Sequence, residues 1–259
     1  MPDELVSILV AAHNALPFIK LQHAQMEKFR DRTSFKYWVW DNASKDGTVE
    51  WLRRNGIAHH SCDNPATTHS QSLRGLIEKT NTPYICYMDV DAFPVKAGWL
   101  DEAVSALDDK TLIVGLSAYT GWRLFVHPSF LVVRRDVCER LKLEPTEFRE
   151  PAPDLREGAL FYDVGAKMSV QVETAGFGIR FLGSANFPEV HLPRWYQKVC
   201  HLHGATAILN KQGHPEDQIK RIVSEHKKKL QMFGVWEEFQ RFVKESLPSN
   251  PNGARYLDA

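Results

Sequence analysis

At 259 residues the chain is long enough for one large single-core domain, with or without a helical appendage. Its 32 lysines and arginines balance 32 aspartates and glutamates, so no global field advertises a polyanionic partner and nucleic acid binding is not indicated. The four cysteines Cys62, Cys86, Cys138 and Cys200 are scattered, lack CxxC spacing and mostly sit in apolar contexts, which suits reduced thiols in a cytoplasmic setting.

The opening "MPDELVSILVAA" is acidic before a short apolar run and lacks the basic start and long apolar stretch of a signal peptide. No later segment approaches the ~20 apolar residues of a membrane-spanning helix, so a soluble protein without a transmembrane segment is expected. "LVSILVAAH" (5–13) is a continuous aliphatic run, the pattern of a strand buried on both faces of a parallel sheet. Residues 16–30 read as a helix burying Phe18, Ile19, Leu21, Met26 and Phe29. "SFKYWVWDNASKDGT" (34–48) is a second strand ending in a polar turn, and "TVEWLRRNG" is a helix that stops at Gly56. "IAHHSCDN" is a short third strand or an extended link, and "HSQSLRGLIEKTN" (69–81) is a helix before the strand "PYICYMDV".

This β-α-β-α alternation predicts an α/β fold with an open, mostly parallel sheet of the doubly wound kind, whose ligands bind beyond the carboxyl ends of the strands. After Asp91 follow a helix at 98–107 and two strands, "TLIVGLSAY" and "FLVVRR", the second entered through "LFVHPS". The charged, proline-rich segment 144–158 is expected to be a mobile loop that orders as a lid when donor binds. "YDVGAKMSVQVETAGFGIRFLGS" reads as a helix stopped at Gly176 and then a strand. From Pro215 the chain reads as two helices broken near Gly234 before a polar tail.

In an extended segment residues i and i+2 point the same way, so Asp89 and Asp91 of "YMDVDAF" can present their carboxylates together at the end of a strand. A hard divalent ion, Mg²⁺ or Mn²⁺, shared with a pyrophosphate would neutralise them. The plainer alternative is a capping Asp89 and a solvated Asp91. The second strand also ends in an acid, Asp41, with Asp46 in the following turn. A carboxylate there can accept the ring N–H of uracil or guanine, and "AAHN" offers backbone and Asn14 to the same base. Alternatively Asp41, Asn42, Ser44 and Asp46 only close the turn and cap the helix from Thr48.

"SILVAAHNALPFI", "WDNASKDGTVEWL" and "THSQSLRGLIEKTNTPYICYMDVDAFPVKAGWL", at these spacings, resemble the N-terminal half of the family-2 glycosyltransferases, which have the GT-A fold. The likeness is close over roughly the first 105 residues and loose beyond. It implies a Rossmann-like central sheet, a glycosyltransferase domain over 1–210 and a helical extension over 211–259. Within the domain, 1–105 would bind the nucleotide sugar and 106–210 the acceptor. The resemblance implies a metal-dependent enzyme that moves a sugar from a nucleotide-diphosphate donor, a UDP-sugar by preference, to a saccharide or other hydroxyl acceptor with inversion.

The same resemblance implies that Asp41 reads the base and that Asp89 lies over ribose and phosphate, with Ala11, His13, Asn14, Ser44, Arg74 and Val90 completing the nucleotide side. Asp91 would be the metal carboxylate alongside Asp89, with His201 or His203 of "VCHLHGATA" as the histidine ligand that family members often carry late in the chain. A histidine ligand favours Mn²⁺ over Mg²⁺. The acceptor's base is expected to be Asp163 of "FYDVG", with Glu157 second, although an N-cap role for Asp163 is equally compatible. His127, Ser129 and Trp122 fall on the sugar or acceptor side, unless "VHPS" is only a strand start shaped by Pro128, and Trp195 and Tyr196 offer flat faces for a sugar ring.

The family pattern is not reproduced throughout. His13 replaces the usual aromatic hydroxyl before Asn14, Leu73 stands where an asparagine is common, and the acid-bearing "EDxxxxxRW" motif is missing. A nucleotidyltransferase of similar sheet architecture is the rival enzyme, but it would open on a glycine-rich loop and "VAAHNALPF" holds no glycine. A non-catalytic binding scaffold, docking a partner through the C-terminal helices, is the other alternative.

Overall fold

The computed structural model describes residues 4–64, 66–119, 124–146, 148–151, 159–162, 164–182, 195–196, 198–210 and 215–258. The chain begins with β1 (Val6–Ala12), α1 (Leu16–Lys28), β2 (Phe35–Asn42), α2 (Thr48–Arg54), β3 (Ala58–Cys62), α3 (His69–Glu78) and β4 (Tyr84–Met88). There follow β5 (Ala92–Pro94), α4 (Trp99–Ser105), β6 (Thr111–Tyr119), β7 (Leu124–Arg134), α5 (Arg135–Leu141), β8 (Phe148–Pro151) and β9 (Ala159–Tyr162). The last elements are α6 (Val164–Thr174), β10 (Gly178–Leu182), β11 (Trp195–Tyr196), β12 (Val199–His201), α7 (Ala205–Leu209), α8 (Glu216–Met232), α9 (Trp236–Ser246) and a 3₁₀ turn at Pro251–Tyr256.

The main sheet has the order β10-β6-β7-β4-β1-β2-β3. β1 pairs in parallel with both β2 and β4, whereas β7 runs antiparallel between β4 and β6. All seven residues of β1 are buried because both sheet faces are covered, which is why its sequence is apolar on both faces instead of alternating, apart from Ser7, whose hydroxyl accepts from Thr82 Oγ1 at 2.8 Å. Successive residues serve different cores. Ile8 and Val10 join a cluster with α1, α4, α8 and α9, whereas Leu9 joins one with α3, α5 and α6. From β1 the chain winds outward to β2 and β3, then crosses back through α3 to lay β4 on the other side of β1. That reversal opens a crevice at the carboxyl ends of β1 and β4.

Several sequence-based expectations change here. Of the two readings of 57–64, the structure takes the strand: β3 (Ala58–Cys62) pairs with β2. The apolar "AFP" after Asp91, for which no element was expected, forms β5, the edge of a small sheet with β12 and β11. Part of the anticipated loop at 144–158 is strand β8, paired with β9; residue 147 and residues 152–158 lie outside the described residues. The tail is not simply polar, because Tyr256 is fully buried against Phe18 of α1 and Phe239 of α9, with ring centroids 6.0 and 5.2 Å away.

Helix α6 lies unusually close to β7. A Cβ on Gly165 would run into the carbonyl oxygen of Val126, and Ser169 Oγ, which accepts the Val126 N–H at 3.1 Å, donates to the Gly165 carbonyl at 2.9 Å. The backbone contact leaves no flexible side chain to yield. Gly165→Ala is therefore expected to destabilise the fold by about 1–3 kcal/mol through overpacking, read as a lower midpoint in urea unfolding with an unchanged slope.

Candidate active site

Beyond Met88 the chain turns sharply, and the Ala92 N–H donates to the Asp89 carbonyl at 3.0 Å. Gln22 of α1, wholly buried, fastens this turn: its Nε2 donates to the carbonyls of Asp89 (2.8 Å) and Ala92 (2.5 Å), and its Oε1 accepts from Tyr37 Oη at 2.6 Å. Both of its amide N–H donors are thus spent on the backbone of the D-x-D turn, and its oxygen is held by Tyr37. Sequence reasoning missed Gln22, although a glutamine next to Leu21 on the core-facing side of an amphipathic helix was the available signal.

β5 then pairs antiparallel with β12, placing His201 opposite Ala92. The His201 Nε2 stands 3.2 Å from Asp91 Oδ1 and 3.5 Å from Asp89 Oδ2, and its Nδ1 is buried without a hydrogen-bond partner among the described residues. His127 comes from β7. Opposite β6, residues 127–130 bulge out of register, so Pro128 needs no ladder N–H and the His127 ring is turned toward Asp89. Its Nδ1 lies 4.0 Å from Asp89 Oδ2 and accepts the Ser129 N–H at 3.1 Å. Asp89, His127 and His201 each offer one donor atom, all within 4.8 Å of one another. A carboxylate oxygen with two imidazoles is a fitting donor set for a borderline divalent ion.

Asp91 sits behind this group. It is 5% exposed, and both oxygens are engaged, one by His201 and the other by the Ala205 N–H at 3.2 Å. Burial alone would push its carboxyl up, but the adjacent His201 imidazole, with His226 and the Ala205 N–H, holds it below the usual carboxylate range. On the far side, His69 at the first position of α3 brings Nε2 to 3.8 Å from Asp89 Oδ1. His69 was not anticipated; its place immediately after Thr68, the N-cap of a Thr68–Gln71 capping box, marked a helix start aimed at the crevice.

The other half of the crevice is built at the ends of β1 and β2. Asn14 adopts φ +47°, donates its N–H to Ser44 Oγ (2.8 Å) and accepts the Lys45 N–H on Oδ1 (2.8 Å). His13 Nδ1 donates to the Asn42 carbonyl at 2.5 Å, leaving Nε2 to accept from Asn14 Nδ2 at 3.0 Å, so an imidazole stitches the two strand ends. Asp46 has a structural role, accepting from Thr48 N–H and Oγ1 and from Leu16 N–H. Asp41 is different. It is 1% exposed, Oδ2 accepts from Ser44 N–H at 3.1 Å, and Oδ1 is buried with no partner among the described residues. Such an oxygen awaits a donor.

The sequence profile of glycosyl transferase family 2 matches residues 7–141, just over half of the chain. The chain belongs to glycosyl transferase family 2. It is accordingly a glycosyltransferase. No curated protein matches this glycosyltransferase in sequence. Among solved structures it is similar to the Pyrobaculum calidifontis mannosyltransferase PcManGT in complex with GDP-Man and Mn²⁺, with TM-score 0.52 and 14% identity over 98% of this chain and 74% of that one. It is also similar to S. aureus TarS 1–349, with TM-score 0.51 and 11% identity over 98% and 88% of the two chains. The same TarS fragment in complex with UDP gives TM-score 0.50 and 12% identity over the same shares. At these identities the likeness concerns the fold, the mostly parallel sheet with flanking helices described above.

Of the anticipated site residues, the structure brings Asp89, Asp91, His201 and His127 together and sets Asp41, Asn14, His13 and Ser44 on the neighbouring strand ends. Ala11, Val90 and Ser129 are buried beside them, whereas Arg74 is exposed on α3, close enough for its charge to be felt at Glu144. His203 lies just past the end of the strand at φ +61°, exposed, with its ring edge-on to that of His201 at 5.7 Å between centroids; the donor group of Asp89, His127 and His201 does not include it. Asp163, Glu157 and Trp122 lie outside the described residues, as do the side chains of Trp195 and Tyr196.

Burial raises the Asp41 pKa, an effect the Ser44 hydrogen bonds only partly offset. With a folded-state pKa above the unfolded one, ionised Asp41 costs the ligand-free fold stability, a cost that appears as pH rises past about 4 and is complete above the folded pKa. Asp41→Asn is expected to raise the melting temperature of the ligand-free protein at pH 8, with the gain shrinking toward pH 4. Calorimetric melts across that range would detect it.

Proposed function

We propose that this glycosyltransferase moves a sugar from a nucleotide-diphosphate donor, a UDP-sugar by preference, to an acceptor hydroxyl with inversion at the anomeric carbon. One observation carries the reading: on Asp41 a buried carboxylate oxygen without a donor among the described residues, and the Asp89–His127–His201 donor group, flank the same strand end, that of β1. Their two strands lie about 10 Å apart by sheet spacing, the span of a nucleoside followed by its diphosphate. The ligands of the similar structures, GDP-Man with Mn²⁺ in one and UDP in the other, support this class of donor.

Asp41 would accept the ring N–H of the base, while Asn14, with Ser44 behind it, shapes the ribose end. Asp89, His127 and His201 would hold the divalent ion, and two imidazoles favour Mn²⁺ over Mg²⁺. When bound, the ion supplies charge neutralisation to the departing diphosphate. Asp91 keeps the His201 ring in place. The acceptor oxygen attacks the anomeric carbon as the bond to the phosphate oxygen breaks, and its proton passes to a carboxylate. Asp163, immediately before α6, is the candidate for that base, with Glu157 second. Unpaired thiols at Cys62, Cys86, Cys138 and Cys200 fit work in the cytoplasm. Among the described residues no helix is long and apolar enough to cross a membrane.

The test is a panel of UDP- and GDP-sugars assayed for transfer and slow hydrolysis with and without Mn²⁺. Asp89→Ala should lower kcat/KM by roughly 10²–10³, and chelation should do likewise; full activity in either case would remove the metal from the reaction. In calorimetry, Asp41→Asn should weaken the preferred nucleoside diphosphate by about 10–100-fold, the loss of one hydrogen bond to a charged acceptor. Unchanged affinity would show that Asp41 does not read the base.

A further inference from the structure

The strand that delivers His201 is only three residues long, and just past its end, after Leu202, come two consecutive left-handed residues, His203 at φ +61° and Gly204 at φ +75°. Such a segment cannot hold its own geometry. One side is held by the D-x-D turn: Leu202 N–H donates to the Asp91 carbonyl at 3.0 Å and Ala205 N–H to Asp91 Oδ2 at 3.2 Å. The other side is held by α8. Lys229 is 1% exposed, yet its ammonium donates to the His201 carbonyl at 2.7 Å. One turn earlier on α8, His226 Nε2 lies 3.1 Å from the His203 carbonyl. A carbonyl only accepts, so Nε2 carries the proton, and Nδ1 accepts from Tyr256 Oη at 2.9 Å. The Tyr256 ring is stacked on His226 at 10°.

A buried ammonium is costly wherever a methionine would fill the same space, and here it is spent on the backbone of a residue inside the candidate metal group. We propose that Lys229 and His226 are positioning residues of the transfer site: through the carbonyls of His201 and His203 they fix the His201 imidazole between Asp89 and Asp91. The helical C-terminal part is therefore a component of the active site at one remove, because outer partners of metal-binding histidines set ring orientation. This inference rests on the reading of Asp89, His127 and His201 as metal donors.

Two measurements on Lys229→Met test it, with thermal unfolding to verify the fold: Mn²⁺ titration followed by electron paramagnetic resonance, and the ¹⁵N resonances of the His201 ring in metal-free protein. Mn²⁺ affinity should fall by at least about tenfold, and the His201 ring signals should shift or broaden. A folded Lys229→Met with wild-type affinity and wild-type ring signals overturns the proposal. If the wild-type protein itself binds no Mn²⁺, the metal reading fails, and the metal-free ring signals alone decide the positioning. If Lys229→Met does not fold, Tyr256→Phe, which removes only the hydroxyl that orients His226, decides by the same signals: a change supports the proposal and identity to wild type refutes it.

Discussion

The pairing of β5 with β12 is the interaction on which the site depends. It joins residues more than a hundred positions apart, setting His201 opposite Ala92 and bringing an imidazole to two carboxylates that would otherwise repel each other at a strand end. Few ladder hydrogen bonds span so short a strand pair, so it persists only because its surroundings are fixed. Gln22 ties down the turn before β5, and Lys229 and His226 hold the segment after β12. The two clamps come from opposite ends of the sequence, α1 and α8, yet both belong to the same hydrophobic layer on one face of the sheet.

That layer explains why a helical C-terminus packs as it does. Phe18, Phe239 and Tyr256 form an aromatic contact among α1, α9 and the final turn, and Asn250 donates to the Asn14 carbonyl at 3.2 Å. Asn210, just after α7, donates to the His13 carbonyl at 3.0 Å and accepts from Asn14 Nδ2 at 3.1 Å. The loop carrying His13 and Asn14 is thus braced by late-chain residues, which relieves the left-handed Asn14 of holding itself.

Much of this was legible in the sequence where local rules and burial agree. The near-continuous apolar run of β1 announced a two-sided strand, and acids at the ends of β2 and β4 announced the crevice. What was not legible depended on departures from regular geometry. His201 and His203 look equivalent by strand alternation, but the strand ends at His201 and the backbone enters the left-handed region, so the two rings stand edge-on to each other and His201 is the one in the donor group with Asp89. His127 was anticipated on the sugar or acceptor side and not in the donor group with Asp89, because Pro128 argues against a central strand until the bulge against β6 is known. Gln22 and Lys229 were obscured because polar side chains on core-facing helix positions declare a partner without naming it.

The two halves of the crevice follow opposite electrostatic strategies. At Asp91 burial is outweighed by nearby imidazole and N–H groups, so the carboxylate stays ionised and can hold a histidine ring in register. At Asp41 burial prevails, and one oxygen has no donor among the described residues. A group that is satisfied in the free protein contributes geometry, whereas one left unsatisfied contributes binding energy only when a ligand supplies the missing proton. The division between a rigid half around Asp91 and an unsatisfied half around Asp41 suits the transfer proposed above: a fixed place for charge to collect as the leaving group departs, and a separate point at which the donor's base would be chosen.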